Sequence, residues 1–336
     1  MGGSCRNPGG GPPRALIRSA KAADTLRHAN RYGLESVPVQ GSFKNIMNRV
    51  KDVIAKVEPH DSPERYRKLG VDCIAGEASF VSPWELEVRH NDGRTERLTA
   101  RSIVVATGGK PAVPPIPGLK DMQPLTSDNL WELEEHPERL LVLGGGPIGS
   151  ELAHAFARLG SKVTQVEMGE RILAREDEDV SELVLKQFQA DGVDVRLKHS
   201  AAEFRIEEGE KVAYCEHEGE RVRIPFDQVL VAVGRAANTA GLNLERIGVD
   251  TLPNGTVPVE EDMSLRYPNV FACGDVAGPY QFTHAAAHQA WYASVNGLFG
   301  QFKRFKVDYR VMPWVPFPAP EGARGGPSEG GAKAPG

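Results

Sequence analysis

Apolar positions along this chain fall either into short continuous runs or at three- and four-residue spacing, with glycine and proline between the segments. Leu140-Leu141-Val142-Leu143 is a continuous run and predicts a buried strand. Directly after it Ile148, Leu152, Ala155 and Leu159 recur at helical spacing, Gly160 marks the helix end, and Val163 to Val166 predict a second strand. Upstream, a helix is predicted to begin at Ala15-Leu16-Ile17 and another to run from Phe43 to about Glu58. Val71 to Val88 predicts short strands, punctuated by Gly76, Pro83 and the hairpin signal Asn91-Asp92-Gly93, and Leu98 to Gly108 predicts a strand ending in a small-residue turn. Downstream come a helix over Glu178–Asp191, a buried strand in Val229 to Arg235, a strand in Asn269 to Asp275, and a helix from His284 to about Phe299. Strands alternating with helices predict an α/β fold.

The run at Leu140 passes straight into Gly144-x-Gly146-x-x-Gly149. In a Rossmann unit the first glycine permits the tight turn, the second lets backbone approach a pyrophosphate, and the third lets the helix pack closely on its strand. The helix N-terminus adds N–H groups and a positive dipole end. Glu167 stands 18 residues after Gly149 at the end of the second strand, where a carboxylate accepts ribose hydroxyls of NAD and repels a 2′-phosphate. A glycine-rich turn that binds nothing is the bland alternative; strand, triplet, helix, second strand and acid together argue for nucleotide binding. Asp275, delivered by the Asn269 run, would stand at the C-terminal end of a strand, where open parallel sheets bind ligands.

With 336 residues, 40% of them hydrophobic and 25% charged, the chain can bury more than one core. A net charge of −5 with scattered Lys and Arg argues against nucleic-acid or anionic-membrane partners, and no apolar run approaches a spanning helix. The cytoplasm is the expected compartment. Cys5, Cys73, Cys215 and Cys273 lack metal-ligand spacing, and the last three are expected to be small buried hydrophobes. No metal site is expected.

Pro111, Pro114, Pro115 and Pro117 predict a stiff connector between domains. Both ends of the chain differ from its middle. Residues 1–14 hold eight Gly or Pro and the last 21 hold eleven, so each segment is expected to specify little structure by itself.

Four blocks, in order, resemble the flavoprotein disulfide reductases, in particular the branch of dihydrolipoamide dehydrogenase and mercuric reductase. Gly2-Gly3-x-Cys5-x-Asn7 with Pro12 and Ala15-Leu16 is similar to the redox-active helix, and Ala106-Thr107-Gly108 to the turn that contacts flavin. Gly144 to Glu151 is similar to the nicotinamide nucleotide site, and Ala272-Cys273-Gly274-Asp275 with His284-x-x-x-His288 to the second flavin motif. The resemblance implies a Rossmann-like NAD domain inserted in a second, incomplete Rossmann-like FAD domain. Its limits would be 1–118 and 238–310 for the FAD domain, 119–237 for the NAD domain, and 311–336 for the start of a dimerisation domain. It further implies FAD and NAD as cofactors, Cys5 as interchange thiol and Glu151 near the nicotinamide. Gly144, Gly146, Ile148, Gly149, Glu167 and Gly234 would hold the nucleotide. Ala106, Thr107, Gly108, Gly274 and Asp275 would hold the flavin. A full-length member would be a homodimer acting on a small disulfide or Hg(II).

Departures from the family pattern matter as much. The reactive pair is Cys-x-x-x-x-Cys, and Gly10 stands at its second position. Arg14 replaces a lysine that the resemblance pairs with an acid matching Glu151, and unlike lysine it cannot be deprotonated. The first flavin-binding βαβ unit and most of the interface domain would lie outside this sequence, and an incomplete reading of a longer gene is the expectation. The leading function is an FAD-dependent NADH oxidoreductase that reduces a disulfide or Hg(II), with this chain inactive as it stands and Cys5 an inert thiol. The alternatives are an NADH oxidase or diaphorase without the redox disulfide, and a nucleotide-binding fragment without turnover.

Overall fold

A computed structural model of the protein describes residues 10–329 and 332. These form two compact units, one made of Val57–Lys110 with Arg235–Tyr309, the other of Gly10–Lys56, Pro111–Gly234 and the described residues from Arg310 on. Among the described residues no helix is long and apolar enough to cross a membrane.

The second unit is built on a parallel sheet of β6 (Arg139–Leu143), β7 (Lys162–Val166), β8 (Asp194–Arg196) and β12 (Gln228–Val231), in the order β12-β6-β7-β8. Its central strand is apolar without alternation because both faces are covered. Leu140 and Val142 join one core with Leu152, Phe156 and Phe188 from α4 (Pro147–Leu159) and α5 (Glu178–Ala190). Leu141 and Leu143 join another with Phe204, Ala213, Cys215 and Phe226 from an antiparallel sheet of β9 (Ser200–Glu207), β10 (Glu210–His217) and β11 (Glu220–Phe226). The proline connector docks here too: Pro117 accepts the Phe204 N–H at 2.9 Å, and a Cβ on Gly118 would come within 2.0 Å of the Phe204 carbonyl oxygen.

Helix α1 (Gly11–Arg27) begins four residues before the expected Ala15, because Pro12 and Pro13 fall in its first turn, where an N–H would have no intrahelical acceptor. Leu16 and Ala20 of α1, with Met47 and Val50 of α2 (Phe43–Val57), share the core of Leu152 and Phe156, so compactness groups both helices with this unit.

The C-terminal stretch corrects the expectation that it specifies little structure. Met312, Trp314, Pro316 and Pro318 are buried at every second position of an extended segment. Its Phe317 and Ala319 N–H groups donate to Glu151 Oε1 at 3.1 Å and His154 Nδ1 at 3.3 Å. Prolines suit such a segment because they hold φ extended and leave the intervening residues as donors.

In the first unit α3 (Pro63–Lys68) precedes an antiparallel meander of β1 (Gly76–Ser82), β2 (Glu85–His90) and β3 (Thr95–Thr99), turned at Asn91-Asp92-Gly93. The single strand expected over Leu98–Gly108 is two. After β3 the chain bends at Ala100–Ser102, where Ser102 Oγ donates to the Gly297 carbonyl, and β4 (Ile103–Val105) pairs in parallel with β14 (Val270–Ala272). Helix α6 (Thr283–Phe299) packs against β14 and the turn beyond it. Cys215 and Cys273 are buried as expected, while Cys73 is half-buried.

Candidate functional site

The nucleotide motif forms the predicted strand, turn and helix. Gly144 takes φ +108°, and a Cβ there would lie 2.4 Å from the Ala232 carbonyl oxygen, so only glycine fits the turn. A Cβ on Gly149 would come within 2.2 Å of the Gly144 carbonyl oxygen, which is the close helix-to-strand approach expected of the third glycine. A Cβ on Gly146 would meet nothing within 4 Å, so the space beside it is open to a ligand. Gly146 is also the N-cap of α4, whose first turn contains Ile148 and carries the positive dipole end. Glu167 follows β7, and its two carboxylate oxygens accept the Gly145 N–H at 2.5 Å and the Gly169 N–H at 2.6 Å. Its position at the turn is therefore fixed before any ligand arrives. Gly234, at φ +140°, accepts the Ala112 N–H at 3.0 Å at the other end of the unit.

Glu151 lies on α4 beyond the glycine turn. Besides the Phe317 N–H, the Arg14 guanidinium stands 4.6 Å over the Phe317 ring. Burial pushes the Glu151 carboxyl up to about 7, against the opposing pull of the Phe317 N–H and the Arg14 charge. The structure thus brings Glu151 and Arg14 together. Gly10 caps α1 and is buried, and Cys5 lies outside the described residues.

In the first unit, Ala106, Thr107 and Gly108 form a turn with Gly108 at φ +69°. Asn238 holds it: Thr107 Oγ1 donates to the Asn238 carbonyl at 2.7 Å, the Asn238 amide donates to the Thr107 carbonyl at 3.0 Å, and the Asn238 N–H donates to the Gly108 carbonyl at 2.9 Å. Asp275 is 3% exposed, three residues past β14, and its Oδ2 accepts from Arg235 Nε at 3.0 Å. Oδ1 is buried without a hydrogen-bond partner. Gly274, at φ +80°, donates its N–H to Gln289 Oε1 at 2.7 Å, while Gln289 Nε2 donates to the Gly278 carbonyl and the Tyr309 hydroxyl. A bare buried carboxylate oxygen fits a hydroxyl-bearing ligand, so the residues present suit the ribitol of a flavin.

Residues 1–290 match the family model of the pyridine nucleotide-disulphide oxidoreductases. The chain belongs to this family. Its members are oxidoreductases that work with FAD and NAD(P)H. This chain is 31% identical to the dihydrolipoyl dehydrogenase of Bacillus subtilis (strain 168), a match covering 96% of this chain and 69% of that protein. It is 32% identical to a mercuric reductase of Staphylococcus aureus, over 99% of this chain and 60% of the relative. The fold superposes on an HOCl-induced flavoprotein disulfide reductase from Escherichia coli with a TM-score of 0.84 and 28% identity, covering all of this chain and 72% of that one. The family member described here therefore spans about two thirds of its relatives' length.

Sequence reasoning missed Arg235, Asn238 and Gln289. Arg235 closes an otherwise apolar run, which is the signal that a partner awaits the cation; the strand expected over Val229–Arg235 in fact stops at Val231, and Arg235 opens a separate short strand, Arg235–Ala237.

Proposed function

We propose that this chain is an FAD-dependent NADH oxidoreductase whose described residues support nucleotide and flavin binding but no dithiol step. The observation that carries the flavin reading is the buried, unpartnered Oδ1 of Asp275 beside the turn Thr107–Gly108. FAD, when bound, supplies a ring that accepts hydride from reduced nicotinamide and passes electrons to an acceptor. Asp275 would accept a ribitol hydroxyl, and Thr107, Gly108 and Gly274 would line the backbone approach. The turn Gly144–Gly149 and the N-terminus of α4 would hold the pyrophosphate, with Glu167 selecting NADH. Glu151, its carboxyl near 7, can hold or release a proton at neutral pH.

For the acceptor, we favour a quinone or dioxygen over a disulfide or Hg(II). Gly10 carries no thiol at the position where the family resemblance requires the second cysteine, and Arg14 cannot give up a proton as lysine can. The domain limits 1–118, 119–237, 238–310 and 311–336, a homodimer and a cytoplasmic location belong to this same proposal. NADH consumption by flavin-loaded protein, with a quinone, lipoamide or Hg(II) as acceptor and flavin content recorded, tests it. Turnover with the quinone alone supports the reading. Turnover with lipoamide or Hg(II) overturns the acceptor choice, and its loss on Cys5→Ser would further show that a cysteine step takes part.

A further inference from the structure

Asp275 and the turn Thr107–Gly108 belong to distant stretches of sequence, and one side chain ties them together within the first unit. Arg235, whose side chain is 8% exposed, donates from Nε to Asp275 Oδ2 at 3.0 Å and from Nη2 to the Gly109 carbonyl at 2.7 Å. A planar guanidinium can make both bonds at once in fixed directions, which a lysine ammonium cannot do with the same geometry. The packing around it leaves no slack: a Cβ on Gly109 would lie 3.0 Å from the Ala236 carbonyl oxygen and 3.2 Å from Asp275 Cβ. Three residues along, Asn238 makes its own three bonds to Thr107 and Gly108. Segment 235–238 is thus a splint between the two flavin-contact elements.

Fold stability alone does not account for this arrangement. A buried ion pair is often no more stabilising than apolar residues of the same volume, and leaving one carboxylate oxygen bare is a further cost. The pair makes sense if the bare oxygen has a partner in the working protein. We infer that Arg235 is a positioning residue for the flavin, neutralising Asp275 and clamping it to the Thr107–Gly109 turn so that Oδ1 is kept as the acceptor for a ribitol hydroxyl. This rests on the reading of the first unit as FAD-binding.

The test is equilibrium binding of FAD to the purified, flavin-free full chain, with thermal unfolding of the same flavin-free proteins alongside. Arg235→Met is expected to weaken FAD binding roughly 100-fold, the scale of one or two hydrogen bonds to a charged group. Arg235→Lys keeps the charge without the fork and is expected to lose less. The double variant Arg235→Met with Asp275→Asn removes the buried charge together with its partner. Its unfolding temperature without flavin should return toward that of the parent, and its FAD affinity should match that of Asp275→Asn alone, because Arg235 acts on the flavin only through Asp275. If Arg235→Met weakens FAD binding as much in the Asp275→Asn background as it does in the parent, Arg235 does not act through Asp275 and the inference is overturned. It is equally overturned if Arg235→Met binds FAD as the parent does. Should Arg235→Met fail to fold, the lysine and double variants decide by the same criteria. A parent chain that takes up no FAD overturns the proposed function, and the inference falls with it.

Discussion

Glu151 has its carboxyl pushed up to about 7 from an ordinary 4.5, mainly by burial. An acid whose folded-state pKa lies above its unfolded value favours the fold while it is protonated. That contribution is complete below the unfolded value near 4.5 and is lost as pH rises to about 7. Glu151→Gln keeps an oxygen for the Phe317 N–H and has no charge to lose. At about 1.4 kcal/mol per pKa unit, the variant should gain on the parent by on the order of 2–3 kcal/mol between about pH 4.5 and pH 8. Urea unfolding of both proteins at the two pH values measures this, and a constant difference between them would show that the carboxyl does not titrate in that window. Glu167 makes a second residue-scale prediction. Glu167→Arg removes a like-charge contact with a 2′-phosphate, so it should shift binding toward NADPH by roughly 1–3 kcal/mol. It also strips the Gly145 and Gly169 N–H groups of their acceptor, so NADH binding should fall as NADPH binding rises. Equilibrium titration with both nucleotides decides, and tighter NADPH binding by the parent would sink the assignment. At this scale Gly144 and Gly149 were legible in the sequence because each answers a steric demand that a three-glycine spacing encodes, whereas Gly146 meets no neighbour and leaves its space open. Arg235 was not, because its partners Gly109 and Asp275 lie 126 and 40 positions away and the apolar pattern shows only the end of a strand.

Among elements, the central strand β6 and the helix after it were read from sequence with nearly the observed limits, since a buried strand flanked by cores on both faces leaves an unbroken apolar run. The start of α1 was misjudged because glycine and proline were scored as breakers without regard to position, and prolines in a first turn break nothing. The extended C-terminal segment was misjudged for a related reason. Its order comes from acceptors on α4, Glu151 and His154, which no local pattern reveals. The grouping of α1 with the nucleotide unit has a direct consequence. Leu16 is fully buried in the core it shares with Leu152 and Phe156. Leu16→Ala should therefore cost about 2–5 kcal/mol, the range for deleting a buried leucine, and should destabilise the NADH-binding unit although it lies far from the glycine motif in sequence. Denaturant unfolding followed by loss of NADH binding checks it. An unchanged midpoint would mean that residues 111–234 stand without α1.

At the scale of the molecule, the sequence showed an α/β chain, and the family resemblance implied that its nucleotide-binding segment interrupts another unit; by compactness the chain leaves the first unit at Lys110 and returns at Arg235, with residues 10–56 grouped outside that unit. That interleaving was legible through the proline connector on one side and the apolar run ending at Arg235 on the other. The grouping of helices by compactness was not, since it depends on which apolar faces meet in space. The central claim for the whole chain is that bound flavin takes electrons from NADH and that no redox disulfide shares them. Anaerobic titration of the flavin-loaded chain with NADH, followed by flavin absorbance, tests this most directly. We expect the absorbance to bleach fully once NADH equals flavin, with no further NADH consumed. Absorbance that stays unchanged would contradict electron transfer to flavin, and consumption of a second equivalent before the bleaching is complete would contradict the absence of a disulfide.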